Sequence, residues 1–285
     1  MSRHVFITGS SSGIGRACAL HLAGLGWTVH AGVRKEADGA SLVREGGQNI
    51  GPVSIDVAEE SSIGAAAEEI GLRVGGDGLA ALVNNAGVSV NGPVELIPMD
   101  GWRRQFEVNV FGQVAVTRAM LPHLRAHAAR EGWARIVMMS SIAGRVGQAV
   151  LGPYCASKHA LEAVSDALRY ELTPQRIQVS IIEPGAIKSE IWKKGQEDAA
   201  ASRGEDAAEA RYRAMVDRVI WLAGKAEEGA IPAVRVAKVV ERCLTARRPP
   251  IRVLVGNDAK ALAWMKRVLP GSAVDWLFKR VCRIR

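Results

Sequence analysis

Cysteine is scarce in this chain, and its residues are too far apart in the sequence to suggest a disulfide framework or a metal site. The 285 residues include four cysteines, at positions 18, 155, 243 and 282. None forms a CxxC pair or a Cys/His cluster, so we expect neither a structural zinc site nor any other metal centre. Thiols spaced in this way are typical of a reducing compartment rather than of a disulfide-stapled secreted fold.

Long apolar segments are missing as well. No window approaches the ~20 uninterrupted apolar residues of a membrane-spanning helix, so we expect none. The amino terminus lacks the basic segment and long apolar run of a signal peptide. With 48% apolar and 23% charged residues, the composition is that of a globular chain and excludes general disorder. These absences predict a cytoplasmic protein.

Short apolar runs alternate with longer helical patterns along most of the chain. We predict a strand at each run, namely residues 4–8, 28–33, 51–57, 79–85, 134–141, 177–185 and 251–256. Continuous apolar strands separated by helices are typical of a parallel sheet covered on both faces. Right-handed crossovers then give a doubly wound α/β fold of seven strands. We place this single domain at residues 1–256.

A glycine-rich turn follows the first predicted strand and opens a helix. It reads TGSSSGIG, with Gly9, Gly13 and Gly15 in a G-x-x-x-G-x-G spacing. Glycines let a backbone approach a pyrophosphate closely, and the helix N-terminus attracts its charge. A purely structural turn is the alternative. The position at the first strand of an alternating α/β chain favours a phosphate site.

A tyrosine and a lysine one helical turn apart, Tyr154 and Lys158, occur in GPYCASKHALEA. A phenol has an ordinary pKa of about 10, and a nearby ammonium lowers it. The pair can therefore move a proton, although in isolation it also fits an ordinary exposed helix. The adjacent Cys155 and His159 are interpreted as packing or interface residues.

Several motifs together resemble the short-chain dehydrogenase/reductases. In the order of that family they are TGSSSGIG at 8, DV at 56, NNAG at 84, the asparagine of VNVFG at 109, SS at 140, YCASK at 154 and PG at 184. The resemblance covers residues 3–190, more loosely to 256, and is nearest to the retinol, hydroxysteroid and 3-hydroxybutyrate dehydrogenase branch. It implies a Rossmann-type fold and an NAD(P)-dependent oxidoreductase that interconverts an alcohol and a carbonyl compound.

The resemblance also implies roles for individual residues. Tyr154 would be the general acid/base, and Lys158 would lower its pKa and bind the nicotinamide ribose. Ser141 would orient the substrate oxygen, with Ser140 as a weaker alternative, and Asn109 would hold a water on the lysine. Further cofactor contacts are implied for Ser11, Ser12, Ile14, Asp56, Val57, Asn84, Ala86, Gly87, Pro184, Gly185, Ile187 and Ser189. For the NNAG motif, a structural role of Asn85 at the strand end is a compatible alternative.

The end of the second predicted strand bears on the choice of cofactor. An acidic residue there usually binds the ribose of NAD, whereas a cation suits the 2′-phosphate of NADP. The acidic position is occupied by Gly32, and Arg34 and Lys35 follow. We therefore expect NADP, with NAD as the alternative. Glu36 and Asp38 weaken the local positive field.

Residues 187–225 are expected to cover the substrate. Their apolar side chains predict a lipophilic alcohol or ketone, and we assign substrate contacts to Ile191 and Trp192 beside Ser141 and Tyr154. Arg145 and Gln148 leave a small hydroxy acid open as a second substrate class. A non-catalytic dinucleotide-binding sensor on the same fold is the alternative from another functional class.

The carboxyl-terminal extension, residues 257–285, holds seven basic side chains and two acidic ones. Its apolar residues have helical spacing, so a peripheral membrane contact is one hypothesis. Packing against the domain or a second subunit is the other. No nucleic-acid motif accompanies the charge, and we expect no such partner. By resemblance we expect a homodimer or homotetramer, formed through the helices after residues 101 and 152.

Overall fold

A computed structural model describes residues 3–188 and 207–282. Seven parallel strands form one sheet in the order β3-β2-β1-β4-β5-β6-β7. They are β1 His4–Ile7, β2 Thr28–Val33, β3 Ile50–Ser54, β4 Ala81–Asn84, β5 Ala134–Met139, β6 Ile177–Pro184 and β7 Arg252–Val255. The predicted doubly wound fold is confirmed. Six strands lie inside the runs predicted for them, and β3 begins one residue before its run and ends three residues short of the end of that run.

Helices cover both faces of the sheet. They are α1 Gly13–Gly24, α2 Glu36–Gly46, α3 Glu60–Val74, α4 Met99–Phe106, α5 Gly112–Glu131, α6 Gly152–Leu172, α7 Ala207–Glu228, α8 Val234–Thr245, α9 Asn257–Val268 and α10 Gly271–Val281. A π-helical turn, Glu107–Phe111, joins α4 to α5. One apolar core packs under α1, α2 and α8, and another under α3, α5 and α6.

The strands are apolar throughout because the sheet is buried on both sides. Side chains alternate between the faces of a strand. In β1, Val5 and Ile7 enter the core under α1, and Phe6 enters the core under α3. All three are fully buried. A continuous apolar run is therefore the signature of this sheet, since neither face meets solvent.

The chain order reverses between β1 and β4, the two central strands. From β1 the chain winds outward to β2 and β3, and it then crosses back to β4 and continues through β5, β6 and β7. At such a switch point the loops after adjacent strands diverge and leave a crevice at the carboxyl edge of the sheet. The glycine-rich turn and the segments after β4, β5 and β6 all meet there.

The carboxyl-terminal helices pack on this domain. Ala259 of α9 is fully buried against Ile142 and Val146, and Phe278 of α10 joins the same cluster. In the part of the chain that the structure describes, no helix is both long and apolar enough to cross a membrane.

Candidate active site

The turn between β1 and α1 has the backbone of a phosphate-binding loop. Gly9 and Gly13 have φ angles of 66° and 54°, which favour glycine. A side chain on Gly9 would come within 2.8 Å of the Ala86 Cα atom, and one on Gly15 would overlap the Gly9 carbonyl oxygen. The Ser12 side chain makes no hydrogen bond at the helix start. The first-turn amides are thus left without a side-chain cap and point into the crevice edge.

The residues after β4 hold this turn in place. Asn85 donates from its side chain to the carbonyl oxygens of Thr8, at 2.9 Å, and Gly9, at 3.1 Å. The Ala86 amide donates to the Thr8 hydroxyl. Asn84 instead turns its fully buried side chain to Thr117. A ligand in the crevice can therefore meet Asn84 only through its backbone, while Asn85 has the structural role given as the alternative.

The ends of β2 and β3 form the opposite wall of the crevice. Gly32 is packed so closely that a Cβ atom there would lie 3.0 Å from both the Ile55 side chain and the Ile7 carbonyl oxygen, so a larger residue would require its neighbours to move. The Arg34 guanidinium is 68% exposed and lies 3.9 Å from the Asp56 carboxylate. Lys35, also exposed, starts α2. Arg34 and Lys35 therefore give this wall two exposed cations, and Gly32 occupies the position where an acidic residue would bind a ribose.

Ser141 and Tyr154 meet at the carboxyl edge of the sheet. Ser141 follows β5, and its hydroxyl accepts from the Ala143 amide at 3.1 Å and lies 3.5 Å from the Pro184 carbonyl oxygen. A hydrogen bond also joins its side chain to that of Tyr154. The neighbouring Ser140 hydroxyl has no partner among the described residues and lies beside Gly144. The geometry therefore brings Ser141, rather than Ser140, to the tyrosine.

Burial acts on the tyrosine and the lysine in opposite ways. It raises the pKa of Tyr154 to about 12, against a smaller lowering by the bond from Ser141. It lowers the pKa of Lys158 to about 8, against the field of Glu162. Lys158 donates to the Met139 carbonyl oxygen at 2.8 Å, and its ammonium lies 5.9 Å from the Tyr154 ring centroid. Desolvation of the phenol dominates the pKa of Tyr154, and the lowering of that pKa by Lys158 stays a prediction.

Asn109 lies in the π-helical turn and is fully buried. Its side-chain oxygen accepts from the Val88 amide at 2.8 Å, and its nitrogen donates to the Val88 carbonyl oxygen and the Ser157 hydroxyl. The side chain thus ties the loop after β4 to α6.

Comparison with known proteins identifies the family. Residues 3–200 match the short chain dehydrogenase family. The chain is 33% identical to an NADPH-dependent 3-dehydrocapnine reductase of Ornithobacterium rhinotracheale, over 97% of this chain and 96% of that protein. It is also 33% identical to mouse retinol dehydrogenase 5, over 97% of this chain and 89% of that protein. This chain belongs to the short-chain dehydrogenase family.

Solved structures agree with that assignment. A short-chain dehydrogenase of Streptomyces avermitilis superposes with a TM-score of 0.78 at 27% identity, covering 99% of this chain and 98% of that one. One from Burkholderia phymatum, in complex with NAD, gives 0.77 at 26% identity and 93% coverage of both chains. This short-chain dehydrogenase is therefore an NAD(P)-dependent oxidoreductase rather than a non-catalytic sensor, and it acts on a small-molecule substrate.

The residues present fit the dinucleotide that the family uses. The uncapped amides at the start of α1 would hold its pyrophosphate, and Ser11 and Ser12 stand half-buried beside them. Asp56 is fixed at the end of β3 by the Ala58 amide, at 3.0 Å, and Val57 follows it. Ile187 is buried and pairs with Ile231. Of the expected contacts, Ser189, Ile191 and Trp192 lie outside the described residues.

The Pro184–Gly185 turn of this short-chain dehydrogenase depends on a residue that the motifs do not include. The Asp258 carboxylate, at the start of α9, accepts from the Ala186 amide at 2.7 Å. Side chains on Gly185 or Gly256 would overlap that carboxylate. Asp258 carries no signal in the sequence except its place in the first turn of a helix.

A buried ion-pair network that the sequence motifs do not include lies beneath the site. Glu183 on β6 has a fully buried side chain and accepts from Arg145 at 2.6 Å. Arg252 on β7 lies 3.8 Å from Glu183 and pairs with Glu162 at 3.0 Å. Burial raises the pKa of Glu183, while the Arg145 hydrogen bond opposes the change. The signal for it in the sequence is a glutamate that follows two isoleucines inside a predicted strand.

Helix α7 covers the loop between Ser141 and Tyr154. Val216 is buried against Val150, with Tyr212 and Met215 in the same cluster. The Tyr212 hydroxyl also donates to Glu95 at 2.6 Å. Trp221 lies in the segment 187–225, which is expected to cover the substrate, and its side chain is 51% exposed.

Proposed function

We propose that this short-chain dehydrogenase is an NADPH-dependent carbonyl reductase for a lipophilic ketone or aldehyde, with Ser141, Tyr154, Lys158 and Asn109 as its active set. The observation that carries the proposal is the buried phenol of Tyr154, hydrogen-bonded to Ser141 at the crevice edge. With its pKa raised to about 12, that phenol is protonated at neutral pH. A protonated acid is what carbonyl reduction needs.

The side chains divide the work of proton delivery. The bound nicotinamide cofactor supplies the hydride. Tyr154 donates its proton to the substrate oxygen, and Ser141 exchanges its bond to the phenol for one to that oxygen, which it orients. Lys158, held by the Met139 carbonyl oxygen, stabilises the phenolate that remains. Asn109 fixes the loop after β4 and offers its backbone carbonyl to a water that returns the proton.

Two observations support the choice of NADPH. Gly32 offers no carboxylate at the position that would bind the ribose of NAD, and the nearby Arg34 guanidinium is exposed. An arginine suits a 2′-phosphate through paired charge-assisted bonds. A relative at 33% identity is named as NADPH-dependent.

The lipophilic substrate is inferred from the apolar side chains that α7 packs beside the site. Val150, Met215 and Val216 pack together over the segment between Ser141 and Tyr154. Arg145, which would have bound a small hydroxy acid, already pairs with Glu183. Two relatives at 33% identity are named as a 3-dehydrocapnine reductase and a retinol dehydrogenase. The hydroxy-acid alternative is therefore the weaker one.

Oxidation of NADPH or NADH by purified protein with a panel of ketones and aldehydes tests this function. We expect turnover with long-chain or polycyclic carbonyls and a KM at least tenfold lower for NADPH. Tyr154→Phe should lower kcat about a hundredfold or more while NADPH binding changes less than threefold. Tyr170→Phe is the matched control, because that tyrosine lies on the same helix and is 67% exposed. Near-normal turnover by Tyr154→Phe would contradict the role of Tyr154 as proton donor. A lower KM for NADH than for NADPH would contradict the choice of NADPH.

We also propose that the protein is a homodimer or homotetramer. Phe111, in the turn just before α5, is 57% exposed. Tyr170 is exposed on α6. These positions lie on the segments that follow residues 101 and 152. Light scattering after gel filtration would detect the assembly, and a monomer at micromolar concentration would contradict it.

A further inference from the structure

A second cavity opens at the edge of the sheet opposite the active site. It encloses about 560 Å³ and lies where β1, β5 and β6 begin and where α8 ends. Arg135 at its wall is separated from Ser141 by the length of β5, about 20 Å at ~3.3 Å per residue. The cavity is thus distinct from the crevice that receives the dinucleotide. Its volume is in the range of small-molecule sites.

The wall of this cavity is strongly cationic. Four of the residues that line it are arginines, and no acidic residue of the described chain lines it; the four are Arg3, Arg135, Arg176 and Arg247. Like charges around one cavity repel one another and cost stability unless something compensates them. Nearby acids are engaged elsewhere, since Glu131 pairs with Arg130 and Glu241 with His21.

Arg135 is the unusual member of the set. It is 6% exposed, yet it has no carboxylate partner in the part of the chain that the structure describes. Its contacts are long bonds to two carbonyl oxygens, of Ala134 at 3.3 Å and Ala246 at 3.4 Å, and its Nε atom has no partner there. A buried guanidinium without an anion is costly, so a site that retains one calls for a counterion.

Aromatic rings hold two of the arginines in place. The Arg135 guanidinium lies 4.9 Å from the Trp133 ring centroid, and that of Arg3 lies 4.9 Å from the Trp27 ring centroid. A ring under the face of a guanidinium fixes its plane and leaves the N–H groups at its edge free to donate. Two of the arginines that line the cavity are therefore held against aromatic rings, while Arg176 and Arg247 are exposed.

We infer that this cavity, defined by Arg3, Arg135, Arg176 and Arg247, binds a small phosphate-bearing anion. Phosphate oxygens accept the paired N–H donors of arginine, and a group carrying two or more negative charges would neutralise the set. This anion site is separate from the active site, so the inference does not depend on which carbonyl compound the enzyme reduces.

Calorimetric titration with inorganic pyrophosphate tests the site. The full-length protein is first saturated with NADP⁺, so that the turn at Gly9–Gly15 is not available to the probe, and ionic strength is held constant with chloride. We expect saturable binding of one pyrophosphate per chain. The double variant Arg176→Gln/Arg247→Gln should weaken it at least tenfold, because each removes a charge-assisted contact.

Arg248→Gln is the matched control, since Arg248 is exposed beside Arg247 but does not line the cavity. It should change the affinity less than twofold. NADPH oxidation by each variant checks that the fold is intact. Absence of saturable binding, equal weakening by Arg248→Gln, or an unchanged affinity in the double variant would overturn the site. Citrate, an anion with carboxylates and no phosphate, is titrated for comparison. Tighter binding of citrate than of pyrophosphate would contradict the assignment of the cavity to a phosphate-bearing anion.

Discussion

At the scale of single residues, burial decides the acid–base chemistry of this site. Tyr154 and Lys158 are 7% and 4% exposed, and desolvation moves each pKa toward its neutral form. The phenol thereby becomes a weak acid that stays protonated, while the ammonium becomes easier to deprotonate. In the free enzyme the lysine, and not the tyrosine, is the group that titrates near physiological pH.

The pKa values of Lys158 and Tyr154 predict how the rate of carbonyl reduction depends on pH. The pKa of Lys158 is about 8, below its ordinary value, so its ammonium is present below that pH and lost above it. We expect kcat/KM to be level at lower pH and to fall as the pH rises through about 8. Lys158→Arg should lower the plateau but move the fall to higher pH, because arginine stays charged. An unchanged fall in that variant would contradict the assignment.

The identities of the proposed active residues could be predicted from the sequence, but their pKa values could not. Tyr154, Ser141 and Lys158 belong to short local motifs, and their approach follows from where β5 and α6 lie. The direction of each shift depends on burial by segments distant in the chain. Asn84 shows the same limit, because only the packing of α5 reveals that its side chain faces Thr117.

At the scale of elements, the start of α9 supports the turn after β6. The Asp258 carboxylate accepts the Ala186 amide, and Gly185 leaves room for it. We predict that Asp258→Ala raises the KM for NADPH about fivefold and lowers the unfolding free energy by about 1 kcal/mol, with a smaller effect on kcat. Steady-state kinetics and urea unfolding measure both quantities.

Asp275→Ala serves as the comparison for that variant. Asp275 is exposed on α10, away from the Pro184–Gly185 turn. Its replacement by alanine removes one negative charge, as Asp258→Ala does, but leaves that turn unchanged. Equal effects of the two substitutions would mean that net charge, and not the hydrogen bond to Ala186, is responsible.

The strands could be predicted well because their apolar runs are continuous, whereas the irregular segments could not. The π-helical turn Glu107–Phe111, which carries Asn109, has no counterpart among the predicted elements. Its geometry is fixed by bonds to the Val88 backbone and Ser157, which are remote in sequence. Such tertiary bonds leave no local pattern.

At the scale of the whole molecule, two adjacent strands make folding sensitive to acid. His4 on β1 and His30 on β2 are stacked and buried, with 3.1 Å between their ring nitrogens. Burial, the proximity of His4 and the charge of Arg73 lower the pKa of His30 to about 3. The folded pKa is below the unfolded one, so this stabilisation is complete above pH 6.5 and is lost as the pH falls toward 3.

We therefore predict a loss of about 2 kcal/mol in unfolding free energy between pH 7 and pH 5 from this residue. Urea unfolding at the two pH values measures it. His30→Phe should flatten the dependence, while His159→Gln, at an exposed position, should leave it unchanged. The same slope in His30→Phe would assign the acid sensitivity to other groups.

The peripheral membrane contact of the carboxyl-terminal helices stays a prediction. Trp264 and Trp276 are 64% and 60% exposed on α9 and α10, among basic side chains. We expect the full-length protein to float with anionic vesicles and the Trp264→Ala/Trp276→Ala variant to float several-fold less. Tyr170→Ala controls for the loss of an exposed aromatic side chain. No flotation of the native chain would contradict the prediction.

The carboxylate of Asp258 has a practical consequence for anyone who shortens or recombines this enzyme. A chain ended at residue 256 would keep every strand, yet it would leave the Ala186 amide without its acceptor and uncover Ile142 and Val146. The start of the tail is thus a structural part of the Pro184–Gly185 turn. A graft from a relative should exchange residues 184–186 and the first turn of α9 as one unit.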